Sequence, residues 1–109
     1  MKLEGVFLKL SRDYRLTITG HSLGGGMTSV LTFLLLVHPL KYFGNADLTR
    51  RVHGYTYGAP PIFDKAAAPV FEGHLTNVVN HQDLVPRINY GSLKDLDLAI
   101  VEFAKNVKY

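Results

Sequence analysis

Residues 16–37 constrain this chain more than any other stretch. Leu16-Thr17-Ile18-Thr19 alternates apolar and β-branched residues and reads as a short strand. Gly20 to Gly26 follows as a glycine-rich turn. Met27 to Val37 is then apolar almost all round, the pattern of a helix buried on most of its faces. Few architectures join a strand to a buried helix through so tight a turn. The pentapeptide Gly20-His21-Ser22-Leu23-Gly24 puts a serine at its apex.

A serine at the apex of a strand-turn-helix has the context of a nucleophile elbow. Such a turn is strained, and side chains two positions before and after the serine are expected to collide with their neighbours. Gly20 and Gly24 remove those side chains, and Gly25 and Gly26 let the helix begin close against the sheet. The helix start leaves unpaired N–H groups and a partial positive charge. The backbone N–H of Leu23 is then expected to point at a developing oxyanion, where one donor contributes about 2.7–4 kcal/mol to the transition state. The competing readings are a loop that only turns the chain and a phosphate loop. No Gly-x-x-x-x-Gly-Lys-[Ser/Thr] occurs, and Gly20-His21-Ser22 does not supply a dinucleotide Gly-x-Gly.

Ser22 needs a base to take its proton and a carboxylate to orient that base. The usual order along an α/β-hydrolase chain is Ser, acid, His. Asp47, Asp64, Glu72, Asp83, Asp95, Asp97 and Glu102 follow the serine. Asp83 is best placed, just past a third strand at the edge where parallel sheets build sites. Its alternative role is an Asx turn. Asp95 and Asp97 fall in the first turns of a helix, where carboxylates usually cap. The histidines are His21, His38, His53, His74 and His81, and none follows Asp83. His21 sits inside the elbow, His53 within a strand, and His81 on the same strand end as Asp83. The catalytic His is therefore not found in this chain.

The rest of the chain reads in order. Leu3, Val6, Phe7 and Leu10 have helical spacing, and Pro39 ends the long apolar helix. Tyr42 to Arg51 is a polar connector. Val52 to Gly58 reads as a second strand, with His53, Tyr55 and Tyr57 alternating against Val52, Gly54 and Thr56. Asp64 to Ala68 begins a short helix, and Leu75 to Asn80 is a third strand. Ser92 and Asp95 fit a capping box before an amphipathic helix carrying Leu93, Leu96, Ile100, Phe103 and Val107. Strands separated by helical connectors imply a parallel sheet. With 109 residues the chain is one domain, 1–109.

Composition removes several alternatives. There is no cysteine, so no disulfide or thiolate chemistry is available. The formal charge is +3, and Arg50-Arg51 is the only adjacent basic pair, so nucleic-acid binding is not indicated. Val30 to Val37, interrupted by Thr32, falls far short of the ~20 residues that span a bilayer. Met1 to Leu10 lacks the pattern of a signal peptide. These features lean toward a cytoplasmic or membrane-peripheral setting.

Three segments, in order, resemble the class 3 (fungal-type) lipases, a family that includes sn-1-specific diacylglycerol lipases. Leu16-Thr17-Ile18-Thr19-Gly20-His21-Ser22-Leu23-Gly24-Gly25 is similar to the family's strand, elbow and helix. Tyr55-Thr56-Tyr57-Gly58-Ala59-Pro60-Pro61 is similar to its second strand end. Val78-Val79-Asn80-His81-Gln82-Asp83-Leu84-Val85-Pro86-Arg87 is similar to its acid strand. The resemblance covers about residues 1–91, and the spacing of 61 positions from Ser22 to Asp83 suits it. It implies a partial α/β-hydrolase fold, a mostly parallel sheet flanked by helices. It implies Ser22 as nucleophile, Asp83 as triad acid and Leu23 as backbone oxyanion donor, with no cofactor and no metal. The implied substrate is an acylglycerol or other lipid ester, met at a membrane or lipid interface. The family's histidine is expected beyond Tyr109, and its lid and second oxyanion donor before Met1, so a central fragment is expected. Two other functions fit: a catalytically inactive, lipid-binding remnant, and a thioesterase or acyltransferase on the same fold.

Overall fold

Leu16 and Ile18 alternate with Thr17 and Thr19, so one face of the first strand is apolar. In the computed structural model, which describes residues 14–44 and 46–107, this strand, β1, spans Leu16–His21, with inward residues half-buried and outward ones exposed. The expected helix over the first ten residues lies outside the described residues. Strand β2 spans Val52–Tyr57 and β3 spans Leu75–Val78. All pairings are parallel, in the order β1-β2-β3, with Leu16 opposite Val52 and Gly54 opposite Leu75. Helices connect and flank the strands, which is the α/β class the sequence implied.

Helix α1 spans Leu23–Val37 and packs on β1 and β2. It starts four residues earlier than the apolar run indicates, because Leu23 to Gly26 already follow the helical path. Its buried face is made of Gly25, Gly26, Thr28, Ser29, Thr32 and Leu35. The expectation of burial on most faces is corrected here: Met27 is 67% exposed, and Leu23, Val30 and Val37 are exposed too. Apart from Leu35, the buried face that meets the sheet is made of small residues, whose side chains let the two backbones approach closely. Gly54 of β2 meets that face. A Cβ there would stand 2.6 Å from Thr32 Oγ1 and 2.7 Å from Leu75 Cδ1. Thr28 and Ser29 donate their hydroxyls to the Gly24 and Gly25 carbonyls four residues back, which satisfies them within the helix. Leu35 and Val52 form the fully buried centre, ringed by Leu16, Ile18, Leu31, Leu36, Tyr42 and Phe43.

Pro39 ends α1 and also opens a second helix, α2, Pro39–Phe43, because its fixed φ suits a first helical position. Gly44, at φ 66°, closes α2. The connector thus begins later than Tyr42, and Ala46–Arg51 forms a 3₁₀ turn leading into β2. After β2, Asp64 caps a 3₁₀ turn, Lys65–Ala67, by accepting from the Ala66 and Ala67 N–H groups. Helix α3, Ala68–Phe71, follows. Phe33, Phe63 and Phe71 pack as a trio with ring centroids 4.9–5.9 Å apart, which ties this segment to α1.

Helix α4 spans Tyr90–Asn106. Its capping box differs from the expected Ser92–Asp95 pair. Asn89 is the cap, accepting from the Ser92 N–H at 2.9 Å, and Ser92 Oγ accepts from the Asn89 N–H at 3.0 Å. Asn is as good a cap as Ser, so the frame moves three residues earlier. The expected apolar stripe of α4 is exposed, with Phe103 at 72%. No described helix is long and apolar enough to cross a membrane.

Candidate active site

Three strand ends meet at the carboxyl edge of the sheet, where parallel architectures place their sites. Each is tied to its neighbour by one more backbone bond past the ladder. Ser22 donates its N–H to the Tyr57 carbonyl at 2.9 Å, and Gly58 donates to the Val78 carbonyl at 2.9 Å. Ser22 has φ 53° and ψ −122°, a left-handed backbone that L-residues seldom adopt. Such strain persists only where the surroundings over-determine it. Here the Tyr57 bond holds one side and α1 holds the other, with Gly26 donating to the Ser22 carbonyl at 3.2 Å.

Gly20 and Gly25 make this turn possible. A Cβ on Gly20 would collide with the backbone carbonyl of Gly24 and stand 2.7 Å from Thr28 Oγ1. A Cβ on Gly25 would stand 2.6 Å from Ala59 Cβ. Gly24 departs from the expectation that both flanking glycines relieve a clash: among the described residues, a Cβ there meets nothing within 4 Å. The reason is the path of the chain. Gly20 lies beneath the helix start, whereas Gly24 lies in the first turn of α1 with open space beside it.

Leu23 is the first residue of α1, so its N–H has no acceptor within the helix. It sits beside the Ser22 hydroxyl on the chain, as an oxyanion donor must. The Leu23 side chain is 72% exposed.

Asp83 is half-buried and held in a turn. Its N–H donates to the Asn80 carbonyl at 2.8 Å, and its Oδ1 accepts from the Val85 N–H at 3.0 Å. The Asx-turn role that competed with an acid role is thus occupied by Oδ1. Oδ2 remains, and it lies against Gly58 on the space a Cβ there would fill. Gly58 has φ 54°, which only glycine adopts without strain. Its bare Cα is what lets the Asp83 carboxylate come up beside the strand end that holds Ser22. Arg87 closes the turn from outside, donating from Nε to the Asp83 carbonyl at 3.2 Å and from Nη2 to the His81 carbonyl at 2.9 Å. His81 itself adopts φ 41°.

The histidines divide by position. His53 is engaged with the Gly73 carbonyl and Thr76 Oγ1, and His74 with the Val52 carbonyl, so both serve the sheet. His21, set aside on sequence grounds, comes near the acid. Its Nε2 and the Asp83 carboxylate both lie within 4 Å of the position a Cβ on Gly58 would take. Among the described residues no hydrogen bond joins a histidine to Asp83 or to Ser22. Gly58 and Arg87 were not singled out as site residues from sequence. The Gly58 signal was present in the Tyr55–Pro61 segment, but its meaning depends on where Asp83 lands.

A hydroxyl on a strained turn, an adjacent free N–H and a carboxylate at the neighbouring strand end make an arrangement suited to acyl transfer once a base is supplied. A family model described as lipase (class 3) matches residues 2–92. The triacylglycerol lipase OBL1 of Nicotiana tabacum is 33% identical over 91 residues, which are 76% of this chain and 15% of that protein. The chain therefore spans a small part of that relative's length. No solved structure matches the chain. With the family model covering most of its length and the elbow, the Gly58 strand end and the Asp83 turn folded together as described, this chain belongs to the class 3 lipase family.

Proposed function

We propose that this chain carries the nucleophile and acid of a lipase-type serine hydrolase acting on carboxylic ester bonds of acylglycerols. The observation that carries the proposal is the left-handed Ser22 at the head of α1, with the Asp83 carboxylate brought to the adjacent strand end through Gly58. In this reading Ser22 Oγ attacks the acyl carbon as its proton passes to a histidine. The oxyanion takes the Leu23 N–H. The ester C–O bond then breaks, the alcohol leaves with the proton, and water releases the acid from the acyl-serine. Asp83 Oδ2 orients the histidine and stabilises its cation. None of the chain's five histidines follows Asp83, so the proposal assigns nucleophile, acid and one oxyanion donor and leaves the base unassigned. The likeness to the triacylglycerol lipase OBL1, together with the family, supports a triacylglycerol or similar lipid ester as substrate, met at a lipid interface.

The test supplies the missing base from solution. A fluorophosphonate probe with added imidazole is expected to label Ser22, identified by peptide mass spectrometry, and Ser22→Ala is expected to abolish labelling. Labelling that persists in Ser22→Ala, or that falls on other residues of the folded chain, overturns the assignment. Hydrolysis of glycerolipid esters in preference to acyl thioesters separates a lipase from a thioesterase or acyltransferase.

A further inference from the structure

A second site stands at the opposite end of the sheet. Arg15 precedes β1, Arg50 and Arg51 precede β2, and the parallel register brings Leu16 opposite Val52, so these three arginines gather at the amino edge. Together with Thr17, His53 and Tyr55 they line a cavity of about 560 Å³. Among the described residues no Asp or Glu lines it. Arg51 Nη1 is buried without a hydrogen-bond partner. A buried donor left unsatisfied carries the uncompensated cost of its desolvation, and more when charged. An oxyanion that accepts several N–H bonds at once relieves that cost.

We propose that this cavity binds a phosphate group through Arg15 and Arg51, with Arg50 and the Tyr55 and Thr17 hydroxyls on its walls. The guanidinium fork matches phosphate geometry with two parallel N–H···O bonds, which an ammonium group does not. His53 forms a fixed wall rather than a free donor, since its Nδ1 faces the Gly73 carbonyl at 3.2 Å, its Nε2 faces Thr76 Oγ1 at 2.8 Å, and its ring packs on Tyr55 at 4.5 Å. The site is separate from the serine. At a rise of ~3.3 Å per residue, β1 sets Arg15 and Ser22 about 20 Å apart. The phosphate comes either from a small soluble compound or from the headgroup of an anionic phospholipid, and the chemistry of recognition is the same.

Calorimetric titration of the chain with inorganic phosphate, and co-sedimentation with phosphatidylcholine vesicles with and without phosphatidic acid, test the proposal and distinguish the sources. Saturable binding is expected with at least one probe. It is expected to weaken by about tenfold or more in Arg15→Gln and in Arg51→Lys, which keeps the charge but loses the fork. Lys94→Gln, an equal charge loss on α4, is expected to leave binding within about twofold. Arg15 is exposed, so its variant reports on binding even if changes at Arg51 disturb folding. Phosphate binding without phosphatidic-acid-dependent sedimentation identifies a soluble source. Sedimentation that phosphate competes away identifies the headgroup. Absence of saturable binding with both probes, or equal weakening in Lys94→Gln and Arg15→Gln, overturns the site.

Discussion

Replacing Gly20 and Gly24 by alanine, one at a time, separates two glycines that the Gly-x-Ser-x-Gly motif treats alike. A Cβ on Gly20 collides with the Gly24 carbonyl and stands 2.7 Å from Thr28 Oγ1. The Gly24 atoms are backbone in the first turn of α1 and cannot swing aside, so the elbow itself must shift. Overpacking of this kind costs typically 1–3 kcal/mol, whereas the stiffer unfolded chain returns less than about 1 kcal/mol. Gly20→Ala is therefore expected to destabilise the chain by about 2 kcal/mol or more. At Gly24 a Cβ meets nothing within 4 Å among the described residues, and the position is helical. Alanine there gains about 0.5–1 kcal/mol of helix propensity. The two variants should differ by about 3 kcal/mol, and a domain of this size loses roughly 4–8 °C of melting temperature per kcal/mol. Thermal and urea unfolding followed by far-UV circular dichroism should place Gly24→Ala at or above the parent and Gly20→Ala more than about 10 °C below it. A Gly24→Ala variant as unstable as Gly20→Ala, or a Gly20→Ala variant that melts with the parent, refutes the account of the turn.

Gly58→Ala forces a left-handed backbone on an L-residue, costing about 1–2 kcal/mol, and displaces the Asp83 carboxylate; a lower urea midpoint together with lost amide protection at Val85 checks it. Arg87→Gln removes two exposed tethers of the Asp83 turn, so global stability should change by less than about 1 kcal/mol while amide exchange at Asp83 and Val85 accelerates. Asn89→Ala removes the α4 cap and should lower helix stability by about 1 kcal/mol, read as fraying of residues 90–93 by NMR. Phe71→Ala removes the ring shared by Phe33 and Phe63 and should cost about 2 kcal/mol, less than a fully buried Phe because the trio is half-buried; equal melting temperatures for parent and variant would sink that reading.

Local rules carried some elements a long way. The alternation in Leu16–Thr19 and Val52–Tyr57 is a period-two pattern, and both segments are strands, with Leu16 and Ile18 half-buried and Val52, Gly54 and Thr56 buried. The apolar periodicity of Leu93 to Val107 is a period-3.6 pattern, and Tyr90–Asn106 is a helix. Burial was harder to read. An apolar sequence states that a side chain disfavours water, but not which neighbour arrives to cover it. Hence α1 turns Gly25, Gly26, its threonines and Ser29 to the sheet while Met27 and Leu23 stand exposed, and the stripe of α4 faces outward. Helix boundaries shifted for local reasons that compete with one another: Pro39 both stops and starts a helix, and Asn89 takes the cap from Ser92.

The Ser22 turn was legible in the sequence because most of what shapes it lies within a few residues: a strand, glycines that permit the close approach and a helix start. The Tyr57 carbonyl and Ala59 that fix it come from the neighbouring strand end. The placement of Asp83 against Gly58, at the strand end bonded to Ser22, was decided by tertiary structure. These residues are far apart along the chain, and only the parallel register, with Ser22 bonded to Tyr57 and Gly58 to Val78, lines up their strand ends. The same register collects Arg15, Arg50 and Arg51 at the other edge, where the sequence showed only an adjacent basic pair. Short-range sterics can be read from neighbours in sequence; electrostatic convergence depends on where the chain returns.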